Sequence, residues 1–153
     1  MSGALHFVYA IQTRLWRILR PRTRGVKVML FSSSGELMLI RNSYGRSDLF
    51  VFPGGGIRPF ESPEQAARRE IKEELGCELA GLTLLSVHFT AVEGKRDTIY
   101  LFKATIVGQP RPDRVEVEEA AFFRLTDLPP TLSPASRRRI QEHEGARIAD
   151  GTW

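Results

Sequence analysis

The chain has 153 residues, 42% of them hydrophobic and 26% charged, which suits one globular domain and excludes a fibrous, disulfide-stapled or largely disordered polypeptide. Its single cysteine, Cys77, rules out an intramolecular disulfide and a cysteine-rich zinc site, and a reducing cytoplasm is the setting that suits it. The formal net charge of +4, from 22 Lys+Arg against 18 Asp+Glu, favours a polyanionic partner without demanding one; no strand interleaves basic with aromatic residues, so nucleic acid ranks below a small nucleotide as partner.

Residues 4 to 20 carry helical periodicity, with Leu5, Val8, Ile11, Leu15, Ile18 and Leu19 on one stripe and Arg14 and Arg17 off it. Pro21 ends the pattern. The segment is too short and too charged to span a membrane, and its positive charges fall inside and after the apolar run, the wrong order for an export signal. Packing on the domain, or on a second copy in a homodimer, is the expected use of this face, ahead of a basic amphipathic helix on a membrane surface. Residues 1–24 therefore form an N-terminal helix with a basic connector, 25–145 the domain, and 146–153 a tail, the last ten residues reading as frayed.

Two β-rich runs follow, Gly25 to Phe31 and Glu36 to Ile40, joined by the hairpin signal Ser32-Ser33-Ser34-Gly35. Asn42 to Ser47 reads as a loop. A short apolar run, Leu49 to Phe52, enters Pro53-Gly54-Gly55-Gly56, where three glycines stop a strand and admit a ligand close to the backbone. Ser62 stands as an N-cap, with Pro63 at the first helical position and Gln65 closing a capping box. That helix runs to about Leu75 and ends at Gly76. Strands are expected over Leu82 to Ala91 and Thr98 to Ile106, turned at Glu93-Gly94-Lys95-Arg96, and over Val115 to Leu125 after a proline-containing loop. A closing helix, Leu132 to His143, is opened by Ser133 and Pro134.

The helix after the glycines carries the chemistry. Glu70, Glu73 and Glu74 stand three and four apart, which puts three carboxylates on one side. Their repulsion makes sense with a cation among them, and oxygen ligands without histidine or thiolate suit Mg²⁺ or Mn²⁺. Arg69, four residues before Glu73, can steady one carboxylate. Ala67, Ile71 and Leu75 form an apolar stripe on another face, so the helix buries one side and offers ligands on another. A solvated, Glu-rich surface helix is the plain alternative; the triple glycine and Glu61 upstream weigh against it.

The segment Gly55, Glu61, Arg69-Glu70-Ile71-Lys72-Glu73-Glu74-Leu75-Gly76, closing with Cys77, resembles the Nudix box at every fixed polar and glycine position. Cys77 replaces an aliphatic residue, a mild departure because buried cysteine behaves as a small hydrophobe. Phe52-Pro53-Gly54-Gly55-Gly56 resembles the family's entry to the box, and Phe122 to Pro129 its late strand and turn. Phe60 stands where the family often has glycine, and Phe122 where it often has tryptophan.

The resemblance implies an α+β fold, an α/β/α sandwich with a mixed central sheet and the box as a loop–helix–loop. It implies a divalent-metal-dependent hydrolase of a phosphoanhydride bond in a nucleoside diphosphate linked to another moiety. Glu70, Glu73 and Glu74, with the carbonyl of Gly54, would bind Mg²⁺ or Mn²⁺; Gly55, Glu61 and Gly76 would shape the box with Arg69, placed among the catalytic residues. The base would be Glu73 or a later glutamate. Glu116, six residues before Phe122, is the later candidate, whereas Glu118 and Glu119 read as a solvated strand edge. The proline and tyrosine that mark ADP-ribose and dinucleoside polyphosphate members are replaced here by Val92 and Gly94, which leaves nucleoside triphosphates slightly favoured. Arg41, Lys95 and Arg96 are candidate phosphate contacts, each with an ordinary surface charge as its plainer reading. A capped or 5′-triphosphate RNA substrate, and a catalytically silent nucleotide- or RNA-binding module, stand as alternatives.

Overall fold

The structure, a computed structural model, describes residues 22–91 and 96–153. The helix expected over residues 4 to 20 and the turn at Glu93-Gly94-Lys95 lie outside the described residues. The elements run β1 (Arg22–Phe31), β2 (Leu37–Asn42), α1 (Pro63–Leu75), β3 (Glu78–Thr90), β4 (Arg96–Val107), β5 (Val117–Phe123) and α2 (Pro134–His143). The strands form one five-stranded sheet in the order β3-β4-β1-β2-β5. The central β1 and β4 pair parallel and every other neighbouring pair is antiparallel, so the sheet is mixed as expected.

Alternation along β1 assigns the two faces. Val26, Val28 and Leu30 point into a core shared with Ala66, Ala67, Ile71 and Leu75 of α1. Met29 and Phe31 point the other way, into a core with Phe50, Phe52, Leu132 and Ile140 of α2. One helix thus covers each side of the sheet, the three-layer sandwich that two apolar faces require. No helix among the described residues is long and apolar enough to cross a membrane.

Both helices start at the expected places. The Ser62 hydroxyl accepts the Gln65 amide at 3.1 Å, the Gln65 side chain accepts the Ser62 amide at 2.9 Å, and Pro63 opens α1. The Ser133 hydroxyl likewise accepts the Ser136 amide at 3.1 Å, followed by Pro134. Strand ends differ more. β1 starts at Arg22, three residues earlier than the apolar pattern suggests, because its polar end pairs in register with Arg96 to Thr98. β3 starts at Glu78, almost directly after the helix cap, and carries register shifts at Ala80/Thr83 and Leu84/Ser86 that blur its alternation.

The frayed tail is corrected. Phe89 of the edge strand β3 donates its amide to Gly151 and accepts the Trp153 amide, at 2.9 and 3.0 Å. The Trp153 ring meets His88 edge-on at 5.7 Å. Arg138 donates to the Trp153 carbonyl at 2.7 Å, and Arg139 donates to that of Thr152. The residues that read as a loose end cover an otherwise open sheet edge.

Candidate active site

The loop before α1 is fastened to the middle of the sheet. Val26 donates to Gly55 at 2.9 Å, Val28 to Pro53 at 3.0 Å, and Ile57 to the Arg24 carbonyl at 2.9 Å. Gly54 has φ 141°, and a Cβ there would lie 2.1 Å from the Val26 carbonyl oxygen. At Gly55 a Cβ would sit 2.6 Å from the Glu70 carboxyl. Two of the three consecutive glycines are thus demanded by close approach, one by backbone and one by a candidate ligand. Gly76 has φ 65° and donates to Lys72 at 3.0 Å, the left-handed cap that ends α1.

Arg69 organises the carboxylates. It holds Glu61 through two parallel bonds, Nε to Oε1 at 2.7 Å and Nη2 to Oε2 at 2.9 Å. Its Nη1 reaches Glu70 at 2.7 Å and Glu73 at 3.1 Å, and its Nη2 also donates to the Gly56 carbonyl at 2.8 Å. Such bidentate, charge-assisted bonds fix direction as well as position. They hold the Glu61 carboxyl down at about 2, the Arg69 contact acting most strongly and the Arg58 amide next. The same carboxylates raise Arg69 still further above the ordinary arginine value.

Phe60 lies at the tip of this loop with φ 64° and a fully exposed ring. The left-handed turn that glycine would favour is retained, at a cost of about 1 kcal/mol for a residue with a Cβ. Glu61 reaches Arg69 regardless, so the departure leaves the box intact.

Glu74 points inward and accepts the Gly54 amide at 2.9 Å. Burial pushes its carboxyl up to about 8; Lys27 and the Gly54 amide oppose the shift, and the Glu70 and Glu116 charges add to it. Glu116 is raised as well, by burial first and then by Asp113, Glu70 and Glu73. The structure therefore brings Glu116, the residue just before β5, within electrostatic range of all three carboxylates of α1. A tight turn places it there. One Asp113 oxygen accepts the amides of Val115, Glu116 and Val117, each at 3.0 Å, while the Asp113 amide donates to the Glu74 carbonyl at 3.1 Å.

Around the box the carboxylates of Glu61, Glu70, Glu73, Glu74 and Glu116 outnumber the cations of Lys27, Arg58 and Arg69. Among the described residues no three metal-ligating side chains already converge on one point; Arg69 bridges Glu70 and Glu73 instead. The residues still fit a hard divalent cation. The donors are all oxygens, two of the carboxylates are buried, and the local charge is short of positive partners.

Three contributors were missed in the sequence. Lys27 donates to the Phe52 carbonyl at 3.1 Å and faces Glu74; its signal was a lone cation in the apolar run of β1. Arg58 binds Glu73 at 3.2 Å. Asp113 builds the turn that carries Glu116, and nothing in its surroundings marked it. Of the candidate phosphate contacts, Arg41 pairs with Glu119 at 2.6 Å and lies over the Phe50 ring, so Glu119 is a structural partner and not merely a solvated edge. Arg96 opens β4, and Lys95 lies outside the described residues.

A family model described as NUDIX domain matches residues 21–143, most of the chain. The chain belongs to the Nudix family. A putative 8-oxo-dGTP diphosphatase from Bacillus subtilis is 31% identical to this Nudix chain over 123 residues, covering 78% of each protein. The nucleoside triphosphatase NudI of Klebsiella pneumoniae is 33% identical over 124 residues, covering 70% of this chain and 86% of that one. A NAD-capped RNA hydrolase from Deinococcus radiodurans is 30% identical over 139 residues, of which this chain spans only 45% of the length. The fold agrees: the crystal structure of a MutT NUDIX hydrolase from Burkholderia pseudomallei superposes with a TM-score of 0.71 at 30% identity, over 78% of this chain and 96% of that one. The family, the mixed-sheet sandwich and the enzyme class expected from the box are thus confirmed. The reaction class is hydrolysis of a pyrophosphate bond in a nucleotide derivative, and the family generally uses divalent metals.

Proposed function

We propose that this Nudix hydrolase cleaves nucleoside triphosphates with Mg²⁺ or Mn²⁺, using Glu70, Glu73, Glu74 and the Gly54 carbonyl as the oxygen donors. The observation that carries the proposal is the cluster of carboxylates with too few cations, to which the fold adds Glu116 from the far edge of the sheet. A divalent ion bound there supplies positive charge for the polyphosphate and lowers the pKa of bound water. Arg69 holds Glu70 and Glu73 in fixed directions, and the Gly54 amide fixes Glu74. Glu116 takes the proton of the attacking water at its carboxylate. Its raised proton affinity suits a base working near neutral pH better than Glu73, which Arg58 and Arg69 both engage. Two relatives are named as acting on nucleoside triphosphates, which supports that substrate class.

A second reading, hydrolysis at the 5′ end of RNA, draws support from the Deinococcus relative and from the basic residues Arg14, Arg17, Arg20 and Arg22 ahead of the domain. A silent binding module is disfavoured because every box glutamate is present. The test is release of phosphate or pyrophosphate from a panel of canonical and oxidised nucleoside triphosphates, ADP-ribose, nucleotide sugars, dinucleoside polyphosphates and 5′-triphosphate RNA. It is run with Mg²⁺, with Mn²⁺ and with chelator, beside Glu73→Gln and Glu116→Gln. Metal-dependent turnover of triphosphates, lowered at least a hundredfold in Glu116→Gln, is the expected result. Turnover of RNA alone selects the second reading, and no turnover with binding intact selects the silent module.

A further inference from the structure

The α1 side of the sheet carries a groove that the box does not use. It has a volume of about 530 Å³ and is lined by Arg22, Phe89, Thr90, Asp97, Thr98 and Arg96 among others. Arg22 and Arg96 are direct partners in the parallel register of β1 and β4, so their side chains leave the sheet on one face a strand spacing apart. That face is the α1 side: Arg22 shares the parity of Val26 and Val28, and Arg96 that of Phe102 and Ala104. Among the described residues neither guanidinium has a recorded carboxylate partner, and like charges placed opposite each other in a sheet repel. Phe89 is 62% exposed on the same side, since its neighbour His88 turns to the α2 side and meets Arg139. The tail satisfies the backbone of Phe89 on both sides, so the exposed ring stands on fixed backbone.

Strand β1 links the groove to the box loop. Arg24, two residues along β1, lies against Tyr100 with its guanidinium 5.3 Å from the ring centre, and its carbonyl accepts the Ile57 amide of the box loop. From Arg22 to Val26, which binds the Gly55 carbonyl, is roughly 13 Å of strand, about the reach of a nucleotide with its terminal phosphates.

We propose that this groove binds the nucleoside 5′-phosphate unit of the substrate. The base stacks on Phe89, the phosphate lies between Arg22 and Arg96, and the Thr98 hydroxyl, on the same face as Arg96, offers a partner for a ribose hydroxyl. A paired cation and an aromatic platform suit this chemistry, because a base offers a flat face and the phosphate relieves the repulsion between the arginines. The assignment deepens the hydrolase reading and rests on it for the direction in which the terminal phosphates run.

The test is calorimetric titration of the full chain with AMP and with ribose 5-phosphate in the presence of chelator, which removes any metal-dependent binding at the box. AMP is expected to bind, about tenfold more weakly to Phe89→Ala and at least tenfold more weakly to Arg22→Gln/Arg96→Gln, with thermal unfolding of each variant checked alongside. Ribose 5-phosphate should respond to the arginine variant and not to Phe89→Ala. With the preferred nucleotide, both variants should raise KM more than they lower kcat. Equal AMP affinity in wild type and both variants overturns the proposal, as does sensitivity to the arginines alone, which would mark an anion site without base recognition. AMP binding that persists in Glu73→Gln, or in a chain that turns over no nucleotide, separates this proposal from the hydrolase reading.

Discussion

Arg69 is half-buried and Arg139 is buried, and their surroundings differ in kind. Arg69, with a side chain 17% exposed, stands among Glu61, Glu70 and Glu73 and the Gly56 carbonyl. Arg139, with a side chain fully buried, has one carboxylate, Glu142 at 2.7 Å, and otherwise the His88 ring at 2.9 Å, the Thr152 carbonyl and the face of Trp153. Its Nε has no partner. Around Arg69 negative charge is in excess, which suits a site that takes up cations. Around Arg139 the charge is nearly balanced and the contacts run to the chain end, which suits a clamp. The same guanidinium fork directs reactive groups in one place and ties down the C-terminus in the other.

Breaking each centre should therefore move a different quantity. The largest effect is expected for Arg139→Ala. It leaves Glu142 with only the longer Arg147 contact at 3.8 Å and opens the tail, at about 3 kcal/mol of stability or roughly 6–12 °C in Tm, with kcat unchanged below the transition; a thermal melt beside an activity assay checks this. Arg69→Ala should lower kcat about a hundredfold, because the carboxylates lose their common anchor, and steady-state kinetics at saturating metal would show it. Loss of both kcat and stability in both variants to the same degree would erase the distinction between the two centres.

Removal of residues 151–153 should cost about 2–3 kcal/mol, because it takes away two backbone hydrogen bonds, the edge-on aromatic contact and the carbonyls that accept from Arg138 and Arg139; denaturant unfolding reads it. The clamp should also respond to pH. Burial, then the Arg139 charge, holds the His88 pKa below its ordinary 6.5. The folded state needs the neutral ring, which accepts from Arg139. The stabilisation is thus complete above pH 6.5 and is lost as pH falls towards the lower folded value. A Tm difference between wild type and His88→Gln that shrinks from pH 8 to pH 5 is the expected result. The smallest effect is a gain: Phe60→Gly should relieve the left-handed strain by about 0.5–1 kcal/mol, part of it offset by the freer unfolded chain.

The two centres also differ in how far the sequence disclosed them. The box was legible because its chemistry needs fixed spacings within one loop and helix; Gly55, Glu61, Arg69 and the three glutamates of α1 could be placed before any coordinates. Glu116 was reached only through its offset from Phe122, since the Asp113 turn that aims it has no pattern of its own. The clamp was illegible. Arg137-Arg138-Arg139 is a run of like charges in which nothing marks one for burial, and the pairing of Phe89 with Thr152 spans the length of two strands and a helix. Local rules cannot reach such contacts, because burial of the last arginine of a charged run depends on where the distant tail returns.

The most direct measurement is calorimetric titration of Mn²⁺ into wild type, Glu70→Gln, Glu74→Gln and Glu116→Gln. If the surplus carboxylates of the box exist to hold a divalent cation, Mn²⁺ binds the wild-type chain and at least tenfold more weakly in the Glu70 and Glu74 variants, with Glu116→Gln weakened as well. Equal Mn²⁺ affinity in all four proteins would contradict that assignment.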